Sequence, residues 1–252
     1  MLRDTWLVFQ RGLRLQLREP VWVIIGIVQP VLYLVLFGPL LERIAAAPGF
    51  VEGDAWLTFT PAMVVLLTMF GAGFAGFATL AEKREGVIEN MRVTPASRAA
   101  LLFGRVLTNV VALMVQAAIL VLLAVVAFGM RPSWAGVALT FLLVALLGTV
   151  LSALSHALAL VAPGEDTLAS VLNGVSLPLL LLSGALLPMA LAPTWLRTLS
   201  RLNPFAYVVD AARDLFAGDL ASGDVVVGFA ITLVLVVVAT VVGTRTFQRV
   251  AA

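Results

Sequence analysis

The stretch "LLFGRVLTNVVALMVQAAILVLLAVVAF", residues 101–128, is almost wholly apolar, and Arg105 is its only charged residue. An α-helix rises about 1.5 Å per residue and the hydrocarbon core of a bilayer is about 30 Å thick, so about 20 apolar residues are enough to cross it. The stretch therefore predicts a transmembrane helix.

The rest of the chain has the same character. Of its 252 residues, 62% are hydrophobic and 12% are charged, whereas a soluble domain carries about 25% charged residues. We therefore predict an all-α integral membrane protein that forms a single domain over residues 1–252. Six stretches are long and apolar enough to span a bilayer, namely residues 21–41, 57–80, 101–128, 136–162, 170–188 and 225–243.

The basic residues between these spans predict the orientation. If the N-terminus is cytoplasmic, the inner segments carry eleven of the sixteen basic residues and the outer segments carry five, as the positive-inside rule requires. Fifteen of the sixteen are Arg, which is typical of GC-rich bacterial genomes. We expect a multi-pass protein of the bacterial plasma membrane with both termini in the cytoplasm.

The composition also excludes several kinds of site. A net charge of +2 is too small to indicate nucleic-acid binding. The chain has no Cys and a single histidine, His156, so neither a disulfide framework nor a histidine-rich metal site is expected. None of the six predicted spans contains Asp or Glu, which argues against a carboxylate proton relay.

The segment before the first span predicts a further helix. In "RGLRLQLREP", residues 11–20, Leu13 and Leu17 are four residues apart, and Pro20 follows. This pattern favours an amphipathic helix on the inner membrane interface, and an anchor to anionic lipid alone would explain it equally well. The basic residues on its polar side are Arg11, Arg14 and Arg18.

The loop between the second and third spans, "AEKREGVIENMRVTPASR", residues 81–98, is densely charged. At 100° per residue, Glu82, Glu85 and Glu89 share one face of a short helix, opposite an apolar stripe. Thr94 and Pro95 would cap and start the next helix. Acidic residues contribute little to topology, so their clustering indicates a docking surface for another protein.

Three parts of the sequence resemble the type-2 permease domain of ATP-binding-cassette (ABC) exporters. The pattern E-x-R-E-G-x-x-E followed by T-P-x-S-R, within residues 82–98, is similar to the cytoplasmic loop of that domain. "VQPVLYLVLFG", residues 28–38, resembles its first helix. Residues 177–216, with S-G, P, W-L, N-P and A-A-R in order, resemble its fifth span and outer loop. Among the subfamilies the likeness is to the daunorubicin-resistance permeases.

The resemblance implies the permease subunit of an ATP-driven exporter, and not an enzyme. Such a subunit moves an amphiphilic drug, antibiotic or lipid-like substrate out of the cytoplasm or inner leaflet. It would pair in the membrane as a homodimer or with a close paralogue. The runner-up within transporters is export of a lipid-linked polysaccharide, and the rival from another class is a membrane-embedded enzyme or scaffold that works without an ATPase.

The resemblance also implies a role for the charged loop between the second and third spans. It implies that residues 82–92 form a coupling helix seated in a separate ATPase subunit, with the helix before Pro20 as a second contact. A phosphate-binding loop needs G-x-x-x-x-G-K-[ST], and the only lysine, Lys83, lacks that context. We therefore expect ATP and Mg²⁺ on the partner and no cofactor on this chain. The implied coupling residues are Glu82, Arg84, Glu85, Gly86, Glu89, Arg92, Thr94, Pro95, Ser97 and Arg98.

An aromatic stripe marks the second span. Phe70, Phe74 and Phe77 recur at i, i+4 and i+7, and helix packing is one explanation. In the family the second and fifth spans line the path between two subunits, so the resemblance also makes the stripe a candidate substrate contact. The small residues opposite it, which would allow close helix approach, are Gly71, Gly73 and Gly76.

Other polar residues and prolines lie within the predicted spans. Gln29 and Gln116 are candidates for the substrate path, because a polar side chain in lipid needs a partner or a cavity. We expect a hydrogen bond between His156 and Asn109, which lie at comparable depth. The prolines, each a hinge or a static kink, are Pro30 and Pro178.

The region after the fifth span predicts an outer element. Trp195 and the leucines that follow have amphipathic spacing, and Asn203 begins a turn. The resemblance makes this region a lid over the outer mouth. The implied gate residues are Ser183, Gly184, Pro188, Asn203 and Pro204.

Overall fold

The computed structural model describes residues 2–18, 21–43, 45, 54–84 and 98–250. Helices account for all its extended regular structure within these ranges. They are α1 Leu2–Arg18, α2 Val21–Glu42, α3 Ala55–Gly73, α4 Gly76–Arg84, α5 Arg98–Phe128, α6 Trp134–Val161, α7 Glu165–Leu182, α8 Thr194–Ser200, α9 Pro204–Ala217 and α10 Gly223–Val250, with a short 3-10 helix at Met189–Leu191.

Six of these segments are long and apolar enough to cross a membrane, which confirms the predicted all-α membrane fold. They are Ile24–Glu42, Ala55–Arg84, Ala99–Phe128, Trp134–Val161, Glu165–Leu182 and Gly223–Phe247.

The predicted limits of the fifth span, 170–188, were wrong. The helix starts at Glu165 and ends at Leu182. Gly184 has φ +74°, a backbone conformation that side chains with a Cβ rarely adopt, so the chain turns away there. The polar first turn belongs to the same helix, and the second spanning segment likewise runs on past Glu82. The prediction that no carboxylate lies within a span is therefore also wrong, although these carboxylates lie at span ends.

The second span consists of two helices. α3 ends at Gly73 and α4 begins at Gly76, and Ser155 of α6 fills the break. The Ser155 hydroxyl donates to the carbonyl oxygen of Gly73 at 2.5 Å and accepts from the Gly76 N–H at 2.8 Å. Because α3 and α4 form a single spanning segment, this serine satisfies backbone groups that would otherwise be exposed within the membrane.

Close backbone approach of a neighbouring helix, predicted at Gly71, Gly73 and Gly76, is confirmed at Gly76, whereas at Gly71 it is a side chain that approaches. A Cβ on Gly76 would lie 2.3 Å from the carbonyl oxygen of Ser155, and one on Gly71 would lie 2.6 Å from a Leu113 methyl carbon. Gly73 was wrongly included, since no neighbouring atom lies within 4 Å of its Cβ position.

α3 forms the centre of the bundle. Most of its side chains are buried. By contrast, α2 and α7 are largely peripheral: only 22% of the spanning part of α2 and 11% of that of α7 is buried. Both peripheral helices continue through an internal proline, Pro30 or Pro178. Whether either proline acts as a hinge stays a prediction.

α1 packs against the first half of α5. Phe9 is buried, and a Cβ on Gly104 would lie 2.6 Å from the Cβ of Val8. Leu17 is exposed, and the position of α1 along the inner membrane interface stays a prediction. All three arginines of the predicted polar side, Arg11, Arg14 and Arg18, are exposed.

Candidate functional site

Charged and polar residues gather at the end of the bundle where α4 terminates, which we call the α4 end. Arg105 of α5 donates to the Thr79 hydroxyl at 2.7 Å and forms an ion pair with Glu82. The Thr79 hydroxyl also lies 2.8 Å from Nδ1 of His156 on α6. This α4 polar cluster, consisting of Thr79, Glu82, Arg105 and His156, joins α4, α5 and α6 at one level.

The cluster determines the tautomer of His156. A guanidinium group can only donate, so the Thr79 oxygen accepts from Arg105. In the described part of the chain, the acceptor available to the Thr79 hydroxyl proton is Nδ1 of His156. We therefore assign the ring proton to Nε2. Nε2 is buried and has no hydrogen-bond partner among the described residues.

The predicted hydrogen bond between His156 and Asn109 was wrong. Asn109 donates from Nδ2 to the Ser152 hydroxyl at 2.6 Å, whereas His156 contacts Thr79. Ser152 and His156 are four residues apart on one face of α6. That face contacts α5 through Ser152 and α4 through His156.

Two basic residues fix the last turn of α4. Lys83 Nζ donates to the carbonyl oxygens of Leu160 and Ala162, at 2.8 and 3.2 Å. These carbonyls belong to the end of α6, where helical acceptors lack partners within the helix. Arg84 pairs with Glu165 of α7 at 2.7 Å, and because both are about half exposed the pair positions the helices more than it stabilises them. The end of α4 is thus attached to both α6 and α7.

The predicted coupling residues fall mostly beyond this point. Glu82 and Arg84 are described, and α5 begins at Arg98. The coupling helix itself and its remaining residues lie outside the described ranges. These are Glu85, Gly86, Glu89, Arg92, Thr94, Pro95 and Ser97.

The aromatic stripe remains stacked even though its helix is broken. The rings of Phe70 and Phe74 have centroids 6.1 Å apart, and those of Phe74 and Phe77 are 5.8 Å apart, with interplanar angles of 16° and 10°. All three side chains are half-buried. Helix packing therefore covers the stripe only in part.

The two glutamines have different surroundings. Gln116 is buried where α2, α3 and α5 meet, and a Cβ on Gly26 would lie 2.6 Å from its Nε2. Gln29 is exposed on α2 and donates to the Tyr33 hydroxyl at 3.3 Å. The structure therefore does not bring the two together.

The opposite end of the bundle, the α9 end, is organised by Arg213, which the sequence analysis counted among the five outer basic residues and included in the A-A-R pattern. The side chain is buried and donates to the carbonyl oxygens of Thr58 and Gly184, at 3.1 and 2.7 Å. It also donates to Asp210 at 3.3 Å. Burial lowers the pKa of the Arg213 guanidinium, and Asp210 opposes that shift. The A-A-R pattern marked Arg213 in the sequence, but it did not indicate that the side chain is buried.

Four of the five predicted gate residues surround the Gly184 turn and the start of α9. The Ser183 hydroxyl donates to the Leu180 carbonyl and accepts from the Ala185 N–H. Asn203 donates to the Leu179 carbonyl at 2.7 Å and caps α9, whose first residue is Pro204. Pro188 lies farther on, directly before the 3-10 helix.

Comparison with known proteins agrees with this architecture. The sequence model of the family described as "ABC-2 type transporter" matches residues 3–217. A protein of Porphyra purpurea named as transport permease ycf38 is 29% identical over 231 residues, which cover 86% of this chain and 79% of the relative. The ycf38 protein of Cyanophora paradoxa is 29% identical over 201 residues, 79% of this chain and 69% of the relative.

A more distant relative carries an explicit ABC name. ABC transporter G family member 20 of Dictyostelium discoideum is 27% identical over 156 residues, which cover 62% of this chain and 21% of that protein. The family match extends over five of the six spanning helices and over α9, so it covers most of the chain. The chain therefore belongs to the ABC-2 type transporter family and is a multi-pass membrane permease.

Proposed function

We propose that this chain is the transmembrane subunit of an ATP-driven exporter in the bacterial plasma membrane. A separate ABC ATPase binds the α4 end from the cytoplasm, and the substrate is an amphiphilic drug, antibiotic or lipid-like molecule. The ABC-2 family works in general with ABC ATPases, and this sequence has no phosphate-binding loop of its own.

The observation that carries the proposal is the attachment of α4 to its neighbours. Lys83 bonds to the end of α6, and Arg84 pairs with the start of α7. Arg105 ties α4 to α5 through Glu82. A displacement of residues 85–97 by a bound ATPase would therefore be transmitted to four helices together, as a rigid-body change of the bundle requires.

We propose further that two copies pair through the peripheral helices. α2 carries the exposed Gln29, bonded to Tyr33. Polar groups are costly in lipid and stabilise contacts between membrane helices, so this pair favours a second protein surface over lipid. The large exposed apolar faces of α2 and α7 support the same arrangement.

The half-buried aromatic stripe is the proposed substrate contact. Stacked rings provide an apolar surface without fixed hydrogen-bond requirements, which suits amphiphilic molecules of varied shape. A polysaccharide exporter would instead need a wider channel, either more polar or lined with aromatic residues.

The test is reconstitution in lipid nanodiscs with a candidate ABC ATPase from the same organism. We expect a stable complex whose ATP hydrolysis is stimulated by amphiphilic compounds and not by lipid-linked oligosaccharides. Export by this chain alone in proteoliposomes, or an ATPase bound at the α9 end, would overturn the proposal.

A further inference from the structure

A cavity of about 270 Å³ lies at the α4 end, bounded by residues of α1, α4, α5 and α6. The aromatic stripe does not line it, so it is separate from the proposed substrate contact. Its polar and charged lining includes Arg11, Gln16, Glu82, Arg105, Asn109 and His156.

One lining residue, His156, also carries a buried ring nitrogen that has no hydrogen-bond partner among the described residues. The bond from Thr79 to Nδ1 of His156 leaves the ring proton on Nε2, which has no partner among the described residues. Buried donors in folded proteins are almost always paired, and an unpaired one needs an explanation, such as a ligand. Because Nε2 is enclosed by protein atoms, a ligand in the cavity reaches it only if the ring or a neighbouring side chain shifts.

The charges of the cavity favour an anion. Arg105 is compensated by Glu82. Arg11 is exposed, has no ion-pair partner in the described part of the chain, and lies close enough to Arg105 for the two positive charges to repel. The lining thus has one uncompensated positive charge, and a monoanion between the arginines would relieve the repulsion.

The surroundings of the cavity favour a lipid as the source of that anion. Leu15 and Ala78 line it beside the polar groups. The same helix, α1, also exposes Trp6, Leu7 and Leu17. Basic pockets between membrane helices bind lipid headgroups, and an amphipathic helix places its apolar side chains at the depth of the acyl chains.

We propose that this cavity binds the phosphodiester group of a membrane phospholipid, which lies between Arg11 and Arg105 and pairs with Arg11. The bound lipid braces α1 against α4 and α5. Because the binding involves the permease alone, it can be tested without any ATPase.

The experiment uses the full chain purified in a maltoside detergent, which carries no phosphate. Dioleoylphosphatidylglycerol is titrated while the unfolding temperature is followed by the fluorescence of the five tryptophans. We expect a saturable rise of several degrees, and native mass spectrometry should detect the retained lipid. Dioleoylglycerol, which lacks the phosphate, should produce no rise.

Inorganic phosphate at the same concentration separates the two sources of the anion. We expect it to have no effect. If it reproduces the full rise, the site binds a free anion and the lipid assignment is overturned.

Matched variants locate the site. Arg11→Gln should weaken binding about fivefold, the contribution expected of one arginine at an anionic headgroup. Arg14→Gln, on the same helix but outside the cavity lining, should change it less than twofold. Ala78→Leu, which adds bulk at the cavity wall and removes no polar group, should abolish the rise. Equal losses in Arg11→Gln and Arg14→Gln, or full binding by Ala78→Leu, would show that no such site exists.

Discussion

Arg213 donates a hydrogen bond to the carbonyl oxygen of Gly184 at 2.7 Å, across 29 residues of sequence. The positive φ of Gly184 turns its carbonyl out of the helical path. The same guanidinium holds the carbonyl of Thr58 near the start of α3. One side chain thus fixes three elements of the α9 end, including the turn predicted as a gate.

Replacement of Arg213 by Lys should destabilise the α9 end. An ammonium group is a compact donor that lacks the planar fork of guanidinium, so at least one buried carbonyl loses its partner. We expect a loss of about 1–3 kcal/mol, measured as a lower unfolding temperature in detergent. The control is Arg201→Lys, an exposed arginine at the same end. If both variants unfold at the same temperature, Arg213 has no special positioning role.

Alanine substitutions at Gly76 and at Gly73 test the packing at the break in the second span. A Cβ on Gly76 would lie 2.3 Å from a backbone oxygen of Ser155, so α4 and α6 must move apart in Gly76→Ala. We expect a loss of about 1–3 kcal/mol, typical of overpacking. Gly73→Ala meets no atom within 4 Å and should be neutral or slightly stabilising, because Ala favours the helix. Thermal unfolding of the two variants in parallel checks this, and the reverse order would contradict the packing at Ser155.

The six spans could be predicted because apolar length is itself the signal for crossing a membrane. The limits of the fifth span could not, because hydropathy does not recognise a polar first turn at Glu165 or a turn at Gly184. The partner of His156 was missed for a different reason. Depth along a helix is readable from sequence, whereas the face that meets Thr79 depends on tertiary packing.

The buried position of Arg213 could not be predicted from the local sequence either. An arginine three residues after Asp210 is what a solvent-exposed helical ion pair would show. Its burial follows from the packing of α9 among α3, α6 and α10, which no local pattern records.

The aromatic stripe gives a prediction about substrate choice. Phe74→Ala removes the central ring of the stack and opens apolar space beside Phe70 and Phe77. We expect the set of compounds that stimulate ATP hydrolysis to shift towards bulkier ones. Phe229→Ala, at a half-buried ring of α10 outside the stripe, is the control and should leave the set unchanged. An identical response of the wild type and Phe74→Ala would assign the rings to helix packing alone.

The last prediction concerns the proposed docking of the ATPase. Reversal of the charges at Glu85 and Glu89 to Lys should weaken association more than tenfold, because unfavourable charge pairs across an interface cost several kcal/mol. Pull-down of the tagged ATPase measures the association, and membrane insertion should be unchanged. The control reverses two exposed acidic residues at the α9 end, Asp219 and Asp224, and alters the net charge equally. Normal association and transport in the Glu85 and Glu89 variant would refute the coupling role, whereas equal losses in both variants would trace the effect to net charge.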